Sequence, residues 1–81
     1  MKVRVRFFAA PREALGRSEI EQELPEGATV RQLVDEITVQ YPVLCRYVEA
    51  MNMAVNRRYV DWDARLQDGD TVACVPPVGG G

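Results

Sequence analysis

The sequence predicts an α+β fold of two layers, a mixed sheet packed on one main helix, and three observations carry this reading. Residues 2–8 alternate, with Val3, Val5 and Phe7 on one face and Lys2, Arg4, Arg6 and Phe8 on the other. A period of two is that of a half-buried strand. Val30, Leu33, Val34 and Ile37 then fall on one face of a helix, and residues 71–75 form a short apolar run bounded by turn residues.

The elements follow in order. Residues 9–18 contain Pro11 and Gly16 and read as a loop closing a hairpin between the first strand and a second at residues 19–24, with Ile20 and Leu24 inward. Pro25-Glu26-Gly27 reads as a turn, because proline presets the bend and glycine tolerates positive φ. Thr29 is placed to cap the helix, with Gln32 at the capping-box position, and Pro42 stops it. Leu44, Tyr47, Val48 and Met51 suggest a short second helix or a helical turn. Two short strands at 53–55 and 58–60 flank a turn at Asn56-Arg57, and residues 61–70 are polar with Leu66 as a lone apolar anchor. Gln67-Asp68-Gly69-Asp70 is a turn leading into the final strand at 71–75. This order suits a hairpin, a crossing helix and a last strand paired beside the first, which is the β-grasp arrangement of ubiquitin. Residues 1–75 form the domain and 76–81 an extended tail.

Composition narrows the function. At 81 residues the chain is a single domain near the lower limit for a self-sufficient core, and 47% hydrophobic with 27% charged residues is globular rather than disordered. A formal charge of −2 argues against a nucleic-acid partner, and no apolar run is long enough for a membrane helix. The charges threaded through the N-terminus do not read as a signal peptide, so a cytoplasmic location is expected. Histidine is absent, which removes the commonest general base near neutral pH and the commonest metal ligand. Cys45 and Cys74 are too few for a disulfide scaffold or a four-cysteine zinc site, and packing is the favoured role for each. Asp61 and Asp63, either side of Trp62, read as solvated turn formers rather than a paired-carboxylate site. Arg57-Arg58 and the Lys2/Arg4/Arg6 face could meet an acidic partner, although such charges are usually solvated.

The tail is the unusual feature. Pro76-Pro77 locks an extended direction, Val78 offers one small apolar contact, and Gly79, Gly80 and Gly81 lack a Cβ. Such a lead fits a channel too narrow for side chains, and what it would deliver is the α-carboxylate of Gly81. A carboxylate becomes reactive on forming an acyl-adenylate, from which a sulfur nucleophile leaves a thiocarboxylate and an amine leaves an amide. A frayed tail without function is the other reading. Phe8 likewise stands between two readings, a ring covered by a neighbouring loop or a contact for a partner.

Several motifs point to a family. They are Phe7-Phe8-Ala9 with Arg12-Glu13, Leu24-Pro25-Glu26-Gly27, Thr29-Val30 with Leu33, Leu66 with Asp68-Gly69-Asp70 and Val72, and Pro76-Pro77-Val78 before Gly80-Gly81. In these the chain resembles the ubiquitin-like sulfur carriers, and among them the small subunit of molybdopterin synthase. The resemblance implies that Gly81 is adenylated by an activating enzyme that uses ATP, then thiocarboxylated with sulfur from a donor such as a cysteine desulfurase or rhodanese. The charged tail, residues 76–81, would enter the large subunit of molybdopterin synthase, which supplies the catalytic side chains. No bound cofactor is implied. Phe8, Val75 and Arg12 are the implied partner-binding positions. Val75 stands where relatives often carry an aromatic residue, and Gly79 where Ala or Ser is commoner. The alternatives are a ubiquitin-like protein modifier, or a carrier serving thiamine synthesis or tRNA thiolation.

Overall fold

The structure is a computed structural model that describes residues 1–77. Within them the order is β1 (Lys2–Phe7), α1 (Ala9–Leu15), β2 (Glu19–Glu23), α2 (Val30–Gln40), a 3₁₀ helix (Pro42–Ala50), β3 (Asn52–Val55), β4 (Arg58–Tyr59) and β5 (Thr71–Val75). The strands make one sheet in the order β2-β1-β5-β3-β4. β5 runs parallel to β1 and antiparallel to β3, so the last strand lies at the centre as expected. No helix among the described residues is long and apolar enough to cross a membrane.

The alternation of β1 is realised in full, with Val3, Val5 and Phe7 buried and Lys2, Arg4 and Arg6 exposed. On the same face of β5, Val72 and Cys74 are wholly buried. Against them α2 sets Val30, Leu33, Val34 and Ile37, and Leu44 from the 3₁₀ helix completes the layer. Burying each such side chain contributes about 1.5–3 kcal/mol, which is how so short a chain holds one structure.

The first turn of α2 leaves three backbone N–H groups to be satisfied from outside the helix. Gln32 N–H donates to Thr29 Oγ1 at 3.3 Å, and Thr29 N–H donates back to Gln32 Oε1 at 2.9 Å, the capping box read from the sequence. Val30 N–H and Arg31 N–H donate to the carbonyls of Ala64 and Trp62, at 3.0 and 2.8 Å. The polar segment 61–66 is thus tied to the helix start. Trp62 and Ala64 join Leu66 against the core, so Leu66 is not its lone anchor.

Residues 9–18 are not a loop. Ala9–Leu15 is helical, because Pro11 lies in the first turn, where its missing N–H is no loss, and Gly16 lies just past the end. Gly16 takes φ 77 and its N–H donates to the Arg12 carbonyl at 2.9 Å, closing the helix. The two residues that suggested a loop are therefore the start and stop of a short helix. Pro11 is its buried residue, and α1 packs against the 3₁₀ helix.

Two substitutions separate capping from packing. Thr29→Ala should lower stability by about 1 kcal/mol through loss of the cap. Leu33→Ala should lower it by about 2–5 kcal/mol, because it opens a cavity at a fully buried position. Denaturant titrations of both variants measure the two losses, and equal losses would contradict this division.

Candidate functional site: the open sheet face and the root of the tail

One face of the sheet is covered by the helices and the other is open. Period-two alternation puts Arg4, Arg6 and then Phe8 on the open face, beside Thr71, Ala73 and Val75 of β5. The register confirms the neighbours, pairing Arg4 with Thr71 and Arg6 with Ala73. Beyond β5, Ala54 pairs with Ala73 and Asn52 with Val75, and Tyr59 of β4 pairs with Ala54. Ala54 and Ala73 are small, so they leave a low strip between the rings of Phe8 and Tyr59. Tyr59 is 71% exposed, a large aromatic held in water on a surface with little else to cover it.

Phe8 is partly buried, just past the end of β1 and before α1. Its cover comes from Arg6, whose guanidinium carbon lies 5.4 Å from the ring centroid. Phe8, Arg4, Arg6, Glu19, Asn56, Arg57, Thr71 and Ala73 line a groove of about 430 Å³. Arg4 Nε lies 3.3 Å from a carboxylate oxygen of Glu19. Arg12 is exposed on α1 and is not part of that groove.

Because β1 and β5 are parallel, their C-terminal ends share one end of the sheet, with Phe7 opposite Cys74. The chain therefore leaves β5 at the Phe8 end of the open face. Val75 and Pro76 are partly buried there and Pro77 is exposed. The remaining expected tail residues, Val78, Gly79, Gly80 and Gly81, lie outside the described residues.

The Asp-Gly-Asp turn holds this exit in register. Lys2 N–H donates to Asp68 Oδ1 at 2.7 Å, and Gly69 N–H donates to the Lys2 carbonyl at 2.8 Å. Asp70 accepts from Gln67 N–H at 2.8 Å and from Asn56 Nδ2 at 2.9 Å, while Asn56 Oδ1 accepts from Thr71 N–H at 3.0 Å. The start of β5 is thereby pinned to β1 on one side and to the β3–β4 turn on the other.

The cysteines divide. Cys74 is fully buried, as packing requires, and burial pushes its thiol from an ordinary 9.0 up to about 12. Cys45 is exposed, so the expected packing role does not hold for it; it sits on the outer side of the 3₁₀ helix, its Sγ 3.9 Å from the Thr38 carbonyl. Asp61 and Asp63 are exposed around a turn, with Asp63 Oδ1 3.8 Å from Arg31 Nε, consistent with solvated turn formers.

The ThiS family matches residues 5–81. The chain belongs to that family. It is 38% identical to a Chlamydomonas reinhardtii protein named molybdopterin synthase sulfur carrier subunit, over 100% of both chains. It is 45% identical to a Pyrococcus furiosus structure described as a putative molybdopterin converting factor, subunit 1, with a TM-score of 0.86 over 96% of this chain and 99% of that one. A chain of the Amycolatopsis orientalis BexX/CysO complex is 27% identical, with a TM-score of 0.77 over 98% of this chain and 99% of that one. That relative is one held in a complex with a partner protein. The β-grasp fold inferred from element order is thus the fold of the family.

Sequence reasoning missed Tyr59 and Ala73 on the open face; it singled out Arg57 as a cation that could meet an acidic partner, but not its place beside Phe8. Tyr59 lies in a strand of two residues, too short for alternation to assign a face, and Arg57 reaches the groove from a turn.

Two measurements probe the site. Phe8→Ala should cost about 1 kcal/mol or less in stability, because its ring already meets solvent, whereas Phe7→Ala should cost about 3–5 kcal/mol. Similar losses would make Phe8 a core residue. In the native state a thiol reagent should label Cys45 and spare Cys74, which reacts only on unfolding. Since Cys74 ionises at 9.0 when unfolded but at about 12 when folded, stability should fall as pH rises from 9.0 towards 12. A Cys74→Ala variant should lose that part of the alkaline dependence.

Proposed function

We propose that this protein is the sulfur-carrier subunit of a molybdopterin synthase, and that its reactive group is the Gly81 carboxylate. The observation that carries the reading is the central, parallel β5, which launches Pro76-Pro77 from the end of the sheet that also bears Phe8. A partner seated on the open face is then positioned to receive the tail. Full-length likeness to named sulfur carriers supports the same reading.

The chemistry follows from what a glycine-ended carboxylate can do. On an activating enzyme the carboxylate oxygen attacks the α-phosphorus of ATP, pyrophosphate leaves, and an acyl-adenylate forms. A sulfur nucleophile furnished by a separate donor attacks the acyl carbon, and AMP departs to leave the thiocarboxylate. The loaded tail enters the large subunit, where its sulfur bonds to a carbon of the pyranopterin precursor and displaces an oxygen substituent. Water then cleaves the acyl carbon–sulfur bond, leaving the sulfur on the pterin and returning the Gly81 carboxylate, and two such rounds form the dithiolene. This chain carries sulfur; the surrounding catalytic groups belong to the large subunit, which suits a sequence without histidine. The slim glycines let the terminus pass where a Cβ would collide. The same reading assigns the protein to the cytoplasm, where an activating enzyme has ATP at hand.

Co-expression with an activating enzyme should yield a protein whose intact mass reflects exchange of one oxygen for one sulfur. One bulky residue added after Gly81 should abolish that exchange and leave the thermal midpoint unchanged. Sulfur loading of the extended, uncleaved variant would refute the terminal mechanism. Higher-mass lysine conjugates in place of the exchange would identify a protein modifier.

A further inference from the structure

We propose that the groove formed by Arg6, Phe8 and Arg57 docks an acidic segment of the protein that receives the tail, a stretch presenting two carboxylates beside an apolar residue. The inference rests on the carrier reading above and names the chemistry of its partner surface.

Charge is the first argument. The chain has a formal charge of −2, yet Arg4, Arg6 and Arg57 converge on this groove against the single carboxylate of Glu19. The register places Glu19 directly across from Arg6, but Glu19 pairs diagonally with Arg4 at 3.3 Å. Arg6 is left lying over Phe8. Among the described residues, neither Arg6 nor Arg57 has a carboxylate oxygen within 4.0 Å. Two cations without counter-charges thus flank an apolar floor of Phe8 and Ala73.

Backbone strain is the second argument. Asn56 and Arg57 both take positive φ, 50 and 72, in the two-residue turn between β3 and β4. Such turns favour Asn followed by Gly. Asn56 serves the fold there, since its amide bonds both Asp70 and Thr71. Among the described residues Arg57 makes no such bond, and a glycine would satisfy the turn with less strain. What the arginine adds is a guanidinium in the groove, and strain kept at such a position points to function.

Continuity is the third argument. Phe8 and Ala73 belong both to the groove and to the open face from which β5 runs into the tail. Any protein that covers the face to take the tail also covers the groove.

The test compares wild type with Arg6→Gln, Arg57→Gly and Arg57→Lys. Thermal midpoints are read together with affinities for the purified molybdopterin synthase large subunit and activating enzyme, at low and high ionic strength. Arg57→Gly should raise the midpoint by about 4 °C while weakening binding, a pairing that a merely structural residue would not give. At low ionic strength Arg6→Gln and Arg57→Gly should each bind about tenfold more weakly, with the difference shrinking as salt screens the charges. Arg57→Lys should retain most of the affinity. Wild-type affinity in both Arg6→Gln and Arg57→Gly overturns the inference and leaves the carrier reading standing. If wild-type protein binds neither partner and is not sulfur-loaded, both fall together. Self-association of the carrier alone, lost in Arg6→Gln, would assign the groove to the Glu19, Glu21 and Glu23 edge of a second copy and overturn the partner assignment.

Discussion

The parallel pairing of β1 with β5 is the constraint on which the rest of the molecule depends. It joins residues far apart in the chain, with Val5 opposite Val72 and Phe7 opposite Cys74, and makes them the buried centre of the sheet. Closing so long a loop costs entropy before any contact rewards it. The crossing helix α2 and the Asp68-Gly69-Asp70 turn offset that cost, the helix by burial and the turn by bonding to Lys2 at the opposite end of the chain. A slip of one residue in this pairing would exchange the two faces. Val72 and Cys74 would then point to solvent, and Ala73 and Val75 would enter the core. Core and open face are thus fixed by one register.

That register also explains what the sequence could and could not show. Where a residue's fate is set by its neighbours in the chain, the pattern was legible: the alternation of β1, the apolar face of α2, the Thr29 cap and the Asn56-Arg57 turn all stand as read. The short helix Ala9–Leu15 was hidden because Pro11 and Gly16 act as breakers or as helix ends depending on position, and seven residues carry little periodicity. The two carbonyls that satisfy Val30 and Arg31 come from residues more than thirty positions away, so no local pattern announces them. Of the open face, Phe8 was legible as outward-pointing because alternation along β1 set it there, whereas Val75 was named only through the family resemblance and its outward position follows from the structure. Tyr59 and Ala73 acquire meaning only from cross-strand pairing, and Cys45 was misjudged because a cysteine's burial depends on which side of a turn meets the core.

Stability and reactivity are kept in separate parts of the chain. The core uses residues 3–74 and ends with Cys74, whose buried thiol is held protonated and so is a poor nucleophile. One residue further on, Pro76 and Pro77 limit the directions available to the chain without asking anything of the core. A reactive terminus on such a lead can be modified, inserted elsewhere and withdrawn while the domain keeps its packing. On the proposed reading the domain's remaining task is recognition, and the open face is the surface it offers.

The β3–β4 turn shows the two demands meeting within two residues. Asn56 accepts a left-handed backbone readily, and its amide joins the hairpin to Asp70 and Thr71, so its conformation serves the fold. Arg57 takes the same kind of backbone with less ease and makes no comparable bond within the domain. Folding alone would favour glycine there. The guanidinium stands instead at the groove that also holds Arg6 and Phe8, next to the strand that becomes the tail. A residue that weakens its own turn while charging the rim of a binding face is understandable when the face has to be recognised by another protein. By this argument the residues least well explained by the core mark the surface that the partner reads.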